Sequence, residues 1–369
     1  MKLDWSRKDM ERRLKELEDS KKRDLSTKLN LDFYRNVLSN QQIEKVETKY
    51  KEQTTEELLN IIKVNTKNFL DLFCKLPQDI RISILTMEDL LKRMYADVDE
   101  EIIKKQNLSN QRLFDISYNI YGKISPYFTR VLDYIYKNNL VKAGNSDIYE
   151  SCCFNESKNN LGYVYMCKNP TDRVMSHEST YNHELMHSIL ATINPYFHRF
   201  PHLEETHSIY MGLKTDKILY EETKDPIYLK SEYNYMVYLQ RILLDFSIIK
   251  DVSFCKKSIT LPNIISAYQD VTGYIAIDEE QEESILNYCS SINLSESFGY
   301  LLSGICALHI LDQDEELQRR KFIDCSFNPF RTDKEFLKFI GMDLRDPYYM
   351  CDVFNKAGCD IKSRIRKLK

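Results

Sequence analysis

Apolar residues recur at helical spacing along most of the chain, with charged residues filling the intervals. Trp5, Met10, Leu14 and Leu17 make a thin apolar stripe in a segment otherwise rich in Lys, Arg, Asp and Glu, which suits a helix with one packed edge. Thr54 stands three residues before Glu57 and ahead of Leu58, Leu59, Ile61 and Ile62, the signature of a capping box opening a helix. Further helical periodicity runs near 80–95, 110–122 and 127–138. Beyond Lys142-Ala143-Gly144-Asn145 the pattern changes. Two runs, 147–154 and 161–167, carry aromatic and β-branched residues on either side of the polar stretch 155–160 and predict a β-hairpin. From 178 the pattern is helical again almost to the end, broken at Pro195, Pro201, Pro226, Pro262 and Pro329. The expected architecture is mainly α with a small antiparallel β-sheet. A helical N-terminal region would occupy 1–140. A second domain over 141–369 would hold the hairpin 146–167, helices 178–193 and 203–215, and a helical C-terminal half.

Composition agrees with a globular, helix-rich protein. The chain has 369 residues, 43% hydrophobic and 29% charged, which leaves room for a proper core and argues against a disordered chain. Nine Gly and nine Pro are too few for a turn-rich β-sandwich. The net charge of −4 argues against a nucleic-acid binder held by a basic surplus, and the short basic run Lys362, Arg364, Arg366, Lys367 and Lys369 reads as a solvated end. The sequence contains no run of eighteen apolar residues that would span a membrane and opens on charged residues rather than an export signal. Its ten cysteines follow no C-x-x-C spacing and read as free thiols, with Cys152-Cys153 as a buried strand pair; the expected location is the cytoplasm.

Six of the seven histidines fall between 177 and 207, and among them lies His183-Glu184-Leu185-Met186-His187, an H-E-x-x-H arrangement. Helical residues four apart differ by about 40° around the axis and ~6 Å along it, so both imidazoles can converge on one ion. Glu184, one position on from His183, would sit beside the open coordination position, where a carboxylate can take a proton from metal-bound water. Its flanks, Thr180, Tyr181, Asn182, Ser188, Ile189 and Leu190, are uncharged, as in a helix buried beneath a cleft. A third ligand is required. A histidine six residues past His187 is excluded because Ile193 stands there. The segment Pro201-His202-Leu203-Glu204-Glu205-Thr206-His207 offers a carboxylate from the next helix. Adjacent helical residues point about 100° apart, so only one of Glu204 and Glu205 can face the metal. His198, His202 and His207 are rival ligands, more naturally cleft-lining or surface groups. His177 reads as a helix-start residue and His309 as a packed one.

Four segments resemble the oligoendopeptidase F and thimet oligopeptidase family of zinc peptidases. They are 181–188 around the two histidines; Glu205-Thr206-His207-Ser208, similar to a Glu-x-x-Ser element; Phe298-Gly299-Tyr300-Leu301-Leu302-Ser303-Gly304, similar to a late Gly-Tyr-Leu-x-Ser element; and Phe336-Leu337-Lys338 through Asp346-Pro347 to Lys356-Ala357-Gly358-Cys359-Asp360. They stand in the family's order over about 160–360. The resemblance implies a zincin-type catalytic domain of the neurolysin-like oligopeptidase kind and one zinc ion held by His183, His187 and Glu205. It also implies Glu184 as general base and Tyr300 directed into the cleft as a hydrogen-bond donor to the oxyanion. The interval from His187 to Glu205 is shorter than the family's, Tyr288 and Asn293 lie roughly where the family has a tyrosine and a histidine, and the N-terminal portion is shorter.

The expected function is a zinc-dependent endopeptidase acting on short peptides, with the strand 161–167 pairing with an extended substrate by edge addition. No nucleic-acid or membrane partner is expected. The alternative is a non-catalytic helical scaffold or adaptor with a structural metal, which would need a fourth protein ligand such as His202 or His207.

Overall fold

A computed structural model describes residues 7–19, 31, 35, 53–91, 108–138, 141–144, 152–156, 161–167, 175–194, 203–256, 258–328 and 330–366. In chain order its elements are α1 (Arg7–Asp19), α2 (Thr55–Phe73), α3 (Gln78–Leu91), α4 (Asn110–Ile124), α5 (Pro126–Lys137), β1 (Val141–Gly144), β2 (Cys152–Glu156), β3 (Leu161–Cys167), α6 (His177–Ile193), α7 (Thr206–Thr223) and α8 (Pro226–Lys250). A π-helical turn, Asp251–Lys256, extends α8. Then come α9 (Leu261–Thr272), α10 (Glu279–Ser291), α11 (Leu294–Leu311), α12 (Glu315–Phe327), α13 (Asp333–Ile340) and α14 (Pro347–Arg366). The described chain is nearly all helical, and none of these helices is long and apolar enough to cross a membrane.

Local chemistry sets many of the helix starts. Thr54 accepts from the Glu57 amide while the Glu57 carboxylate accepts from the Thr54 amide at 2.8 Å, so the capping box anticipated from the sequence opens α2. Ser109, Ser125, Ser176, Asp225, Asp278, Asp314 and Thr332 cap the starts of α4, α5, α6, α8, α10, α12 and α13 with side-chain oxygens. Pro126 and Pro226 stand in the first turn of α5 and α8, where a missing N–H costs nothing. Trp5 lies outside the described residues.

The three strands form one sheet in the order β1-β3-β2. β2 pairs antiparallel with β3 through Cys153↔Val164 and Phe154↔Tyr163, while β1 pairs parallel with it through Val141↔Val164 and Ala143↔Met166. Two expectations change. The sheet is mixed rather than antiparallel. The strand 161–167 is central, its backbone groups shared with neighbours on both sides, so peptide addition at its edge is excluded and only the outer edges of β1 and β2 remain. Parallel pairing of β1 with β3 requires a long excursion of the chain, and periodicity carries no sign of it.

Four rings join early and late helices. Phe69 and Phe73 of α2 meet Phe246 of α8 and Phe298 of α11 at centroid separations of 5.3 to 5.8 Å. All four are buried, and large aromatic area of this kind dominates core energetics. The C-terminal helix is likewise docked. Arg364 donates to both carboxylate oxygens of Glu232 on α8, at 2.6 and 3.0 Å, and lies over the Tyr220 ring. The basic end of the chain, read as solvated, is therefore tied down at Arg364. Lys367 and Lys369 fall outside the described residues.

Gly304 of α11 faces Leu239 and Tyr235 of α8 at close range. A Cβ there would stand 2.9 and 3.0 Å from the two methyls of Leu239 and 3.3 Å from the Tyr235 hydroxyl. Leu239 is fully buried and has little room to yield. Gly304→Val is expected to lower unfolding free energy by roughly 2–3 kcal/mol through overpacking, measured as a fall in the urea midpoint at constant slope. An unchanged midpoint would mean that the two helices separate freely.

Candidate metal centre

α6 is buried on almost every side, including His177, Glu178, Tyr181, Asn182, Leu185, Met186, Ile189 and Leu190. Such a helix must be positioned by neighbours, and three sets of bonds do so. At its start, the Ser176 hydroxyl accepts from the Ser179 amide and donates to Asp216 of α7 at 2.6 Å. Ser231 of α8 donates to the other Asp216 oxygen at 2.5 Å and accepts from the Ser176 amide at 2.7 Å. Burial raises the Asp216 carboxyl well above its ordinary value, against the pull of these hydroxyl donors. Midway, the Tyr121 hydroxyl donates to the Asn182 carbonyl at 3.0 Å. At the end, the Asn194 side chain donates to the carbonyls of Ser326 and Asn328 at 3.2 and 2.8 Å. Closed polar networks of this sort fix a helix against translation.

Glu205 provides the N-cap of α7, its carbonyl accepting from the Ile209 amide at 2.9 Å. The expected helix 203–215 thus starts at Thr206, after a turn, and runs on to Thr223, where Lys224 takes a left-handed conformation. The Glu205 side chain does not cap the helix. It turns towards α6, where one carboxylate oxygen lies 3.2 Å from His183 Nε2 and 3.0 Å from His187 Nε2. The two imidazole rings stand 5.1 Å apart at 74°. One ligand atom from each of His183, His187 and Glu205 lies within 4.8 Å of the others, and among the described residues no other His, Cys, Asp or Glu joins this group.

This donor set fits a zinc ion. Tetrahedral bonds of ~2.0–2.2 Å place neighbouring ligand atoms roughly 3.3–3.6 Å apart, a few tenths of an ångström beyond the nitrogen–oxygen separations of 3.0 and 3.2 Å here. The electrostatics agree. Burial alone would lower His187, but the Glu205 charge and hydrogen bond, with Glu184 and Glu204 beyond, push it up to about 9. Burial alone would raise Glu205, yet His187 and His183 together hold it well below the usual carboxylate range. A proton shared among buried ligands in this way is what a cation displaces on binding. Glu204 is pushed up to about 7 by burial and by repulsion from Glu205, and it makes no such bridge to the histidines.

Glu184 is buried one residue along from His183, and its charge is felt by both His187 and Tyr300. Tyr300, on α11, stacks parallel to His183 at 6.5 Å and meets Tyr238 edge-on at 6.2 Å. Burial, then the charges of Glu205 and Glu184, push its hydroxyl far up, so it remains a proton-bearing donor. Beside Tyr300 opens a cleft of about 690 Å³ lined also by Tyr238, Arg241, Asp245, Tyr288 and Asn293. Tyr288 and Asn293 therefore line the same cleft as Tyr300. The rivals go elsewhere. His207 is buried against Phe322 and Phe336, and burial, then the His187 charge, lowers it to about 3. His309 is packed, bonded to the Ile340 carbonyl and the Tyr349 hydroxyl. His198 and His202 fall outside the described residues.

The same arrangement of helices occurs in solved structures. PZ peptidase A with inhibitor 2 superposes with a TM-score of 0.60 at 11% identity, over 95% of this chain and 71% of that one. A protein assigned as oligoendopeptidase F, seen by X-ray diffraction at 3.1 Å, gives 0.55 at 13% identity over 96% and 66%. The chain has the oligoendopeptidase fold. At such identities the fold is what is shared, and this chain spans about two thirds of the second structure's length. No family model and no curated protein matches the sequence.

Within the oligoendopeptidase fold, two features escaped sequence reasoning. Tyr235 on α8 is buried with its hydroxyl unpaired, and burial, then Tyr238, Glu205 and Tyr300, push it well up. Its spacing of three from Tyr238 marks a shared helix face, a signal lost among 25 tyrosines. The Ser176–Asp216–Ser231 network has no sequence signature, because its members come from three helices.

Proposed function

We propose that the protein is a zinc-dependent endopeptidase hydrolysing peptide bonds of short peptides. The observation that carries this reading is the convergence of two imidazole nitrogens on one Glu205 oxygen, with a buried Glu184 and a proton-bearing Tyr300 beside them. The peptidase identities of the structures that share the fold support it. His183, His187 and Glu205 would hold the ion, which when bound supplies a Lewis acid that polarises the scissile carbonyl and acidifies water.

The remaining chemistry belongs to the chain. Glu184 takes the proton from the attacking water and returns it to the leaving amine, a role suited to a carboxylate held in a buried site. Tyr300 donates a hydrogen bond to the oxygen on which negative charge grows. Such a donor contributes on the order of 3 kcal/mol in comparable sites, because the charge it meets exists only in the transition state. The Ser176–Asp216–Ser231 network keeps the histidines in register with Glu205. A scaffold with a closed metal site would require a fourth ligand, and none joins the three among the described residues.

Metal analysis of purified protein by inductively coupled plasma spectrometry should find one zinc per chain. Hydrolysis of a mixed library of fluorogenic peptides should disappear on chelation and return with zinc. Protein without zinc, or hydrolysis indifferent to the chelator, would sink the proposal.

A further inference from the structure

Tyr235 carries a hydroxyl that neither the core nor the hydrolytic chemistry uses. The side chain lies on α8 and is 3% exposed, yet its oxygen has no hydrogen-bond partner among the described residues. Burying an unpaired hydroxyl is costly, and a phenylalanine would fill the same space without that cost. The surroundings indicate what the hydroxyl serves. It lies against α11 at Gly304, where an added Cβ would stand 3.3 Å from the oxygen. Gly304 is four residues past Tyr300, one turn along the same face of α11. A chain of rings leads back to the histidines: Tyr235 to Tyr238 at 6.2 Å, Tyr238 to Tyr300 at 6.2 Å and Tyr300 to His183 at 6.5 Å. Buried behind these rings, Tyr235 does not line the cleft, so it acts through a neighbour rather than on a peptide. Beyond burial, the groups that act on it are Tyr238, Glu205 and Tyr300, and Glu205 is the carboxylate among them. Both histidine contacts of Glu205, at 3.2 and 3.0 Å, fall on its Oε2, and none of the described residues donates to its Oε1.

We propose that Tyr235 is a positioning residue for Glu205: when a cation takes the place of the proton shared with the histidines, the Tyr235 hydroxyl donates to the second carboxylate oxygen and holds that side chain in its ligating orientation. The inference rests on the reading of His183, His187 and Glu205 as a zinc centre and adds a residue that touches neither ion nor substrate. Carboxylates that bind metals are themselves hydrogen-bonded by an outer layer of donors, and loss of such a donor typically costs 10–100-fold in metal affinity. A phenol suits the task. Burial, then Tyr238, Glu205 and Tyr300, push the hydroxyl well above its ordinary value, so it keeps its proton and serves as a donor rather than as a rival ligand. Gly304 leaves the room in which the hydroxyl sits, beside α7, whose first turn carries Glu205.

The test is a double-mutant cycle in zinc affinity, read by competition with a chromophoric chelator on the full chain: unsubstituted protein, Tyr235→Phe, Glu205→Ala and the two together. Tyr235→Phe keeps the ring and removes only the hydroxyl. It should weaken zinc binding by ~10–100-fold. Its urea midpoint with chelator present should stay level or rise, because the oxygen removed had no partner. In the Glu205→Ala background the same substitution should change zinc affinity by less than about twofold, since the acceptor is gone. Peptide hydrolysis lost by Tyr235→Phe at limiting zinc should return as zinc is raised. Unchanged affinity in Tyr235→Phe, or an equal loss with and without Glu205, overturns the proposal. So does a lowered urea midpoint without zinc, which would make the hydroxyl a structural group. A fall in kcat at saturating zinc with affinity intact overturns it too, by tying the hydroxyl to Tyr300 instead. Failure of the underlying reading looks different: unsubstituted protein that binds no zinc removes the metal centre, and this role with it.

Discussion

Glu184→Gln should lower kcat for peptide hydrolysis by about a thousandfold while zinc content stays at that of the unsubstituted protein. The amide has the carboxylate's size and hydrogen-bonding reach, so a side chain only 9% exposed keeps its packing, yet it cannot accept a proton. The ligand set is untouched, since the bridging oxygen belongs to Glu205. The expected signature is therefore a fall in kcat with little change in KM, bound metal or urea midpoint. Loss of zinc together with activity would make Glu184 a ligand, and undiminished turnover would remove it from the chemistry. A second consequence follows from the charge lost. Glu184 is one of the groups pushing His187 up, so the metal-free variant should release its imidazolium proton at lower pH, read by NMR titration.

What the sequence disclosed depended on whether the signal was local. The spacing of His183 and His187 needs only a helix, and His177–Ile193 supplies it. The choice between Glu204 and Glu205 needed the resemblance, and the structure brings Glu205 to the histidines. α7 starts at Thr206 rather than 203 because Glu205 turns its side chain to α6 and its carbonyl to capping, a division that hydrophobic spacing does not record. The helix also runs past 215 to Thr223. The stop is made by Lys224 in a left-handed conformation before Asp225-Pro226 rather than by a glycine, and non-glycine residues rarely adopt it. The pairing of β1 with β3 joins residues 141–144 to 164–167 and leaves no periodic trace. The face of α8 that lines the cleft was hidden for a different reason: Tyr238, Arg241 and Asp245 look like any mixed helix face until Tyr300 of α11 is laid beside them.

Glu205→Ala should weaken zinc binding by more than ~100-fold, a larger loss than is typical for groups that only orient a ligand, whereas Glu204→Ala should leave it nearly intact. Two adjacent carboxylates differ this much because the turn before α7 aims only one of them at α6. Glu205 meets both histidines within 3.2 Å, and its negative charge persists against the cost of burial because they share a proton with it. Without that anion two nitrogen donors alone must hold the ion. Glu204 stands in the opposite position. Burial and the Glu205 charge raise it to about 7, so much of its population is already protonated near neutrality and contributes little to holding a cation. Its removal also relieves repulsion on Glu205. Competition with a chromophoric zinc chelator measures both affinities directly. A result in which Glu204→Ala loses the metal and Glu205→Ala keeps it would require the turn at 203–205 to rotate by about one residue, 100° around the helix axis, when the ion enters.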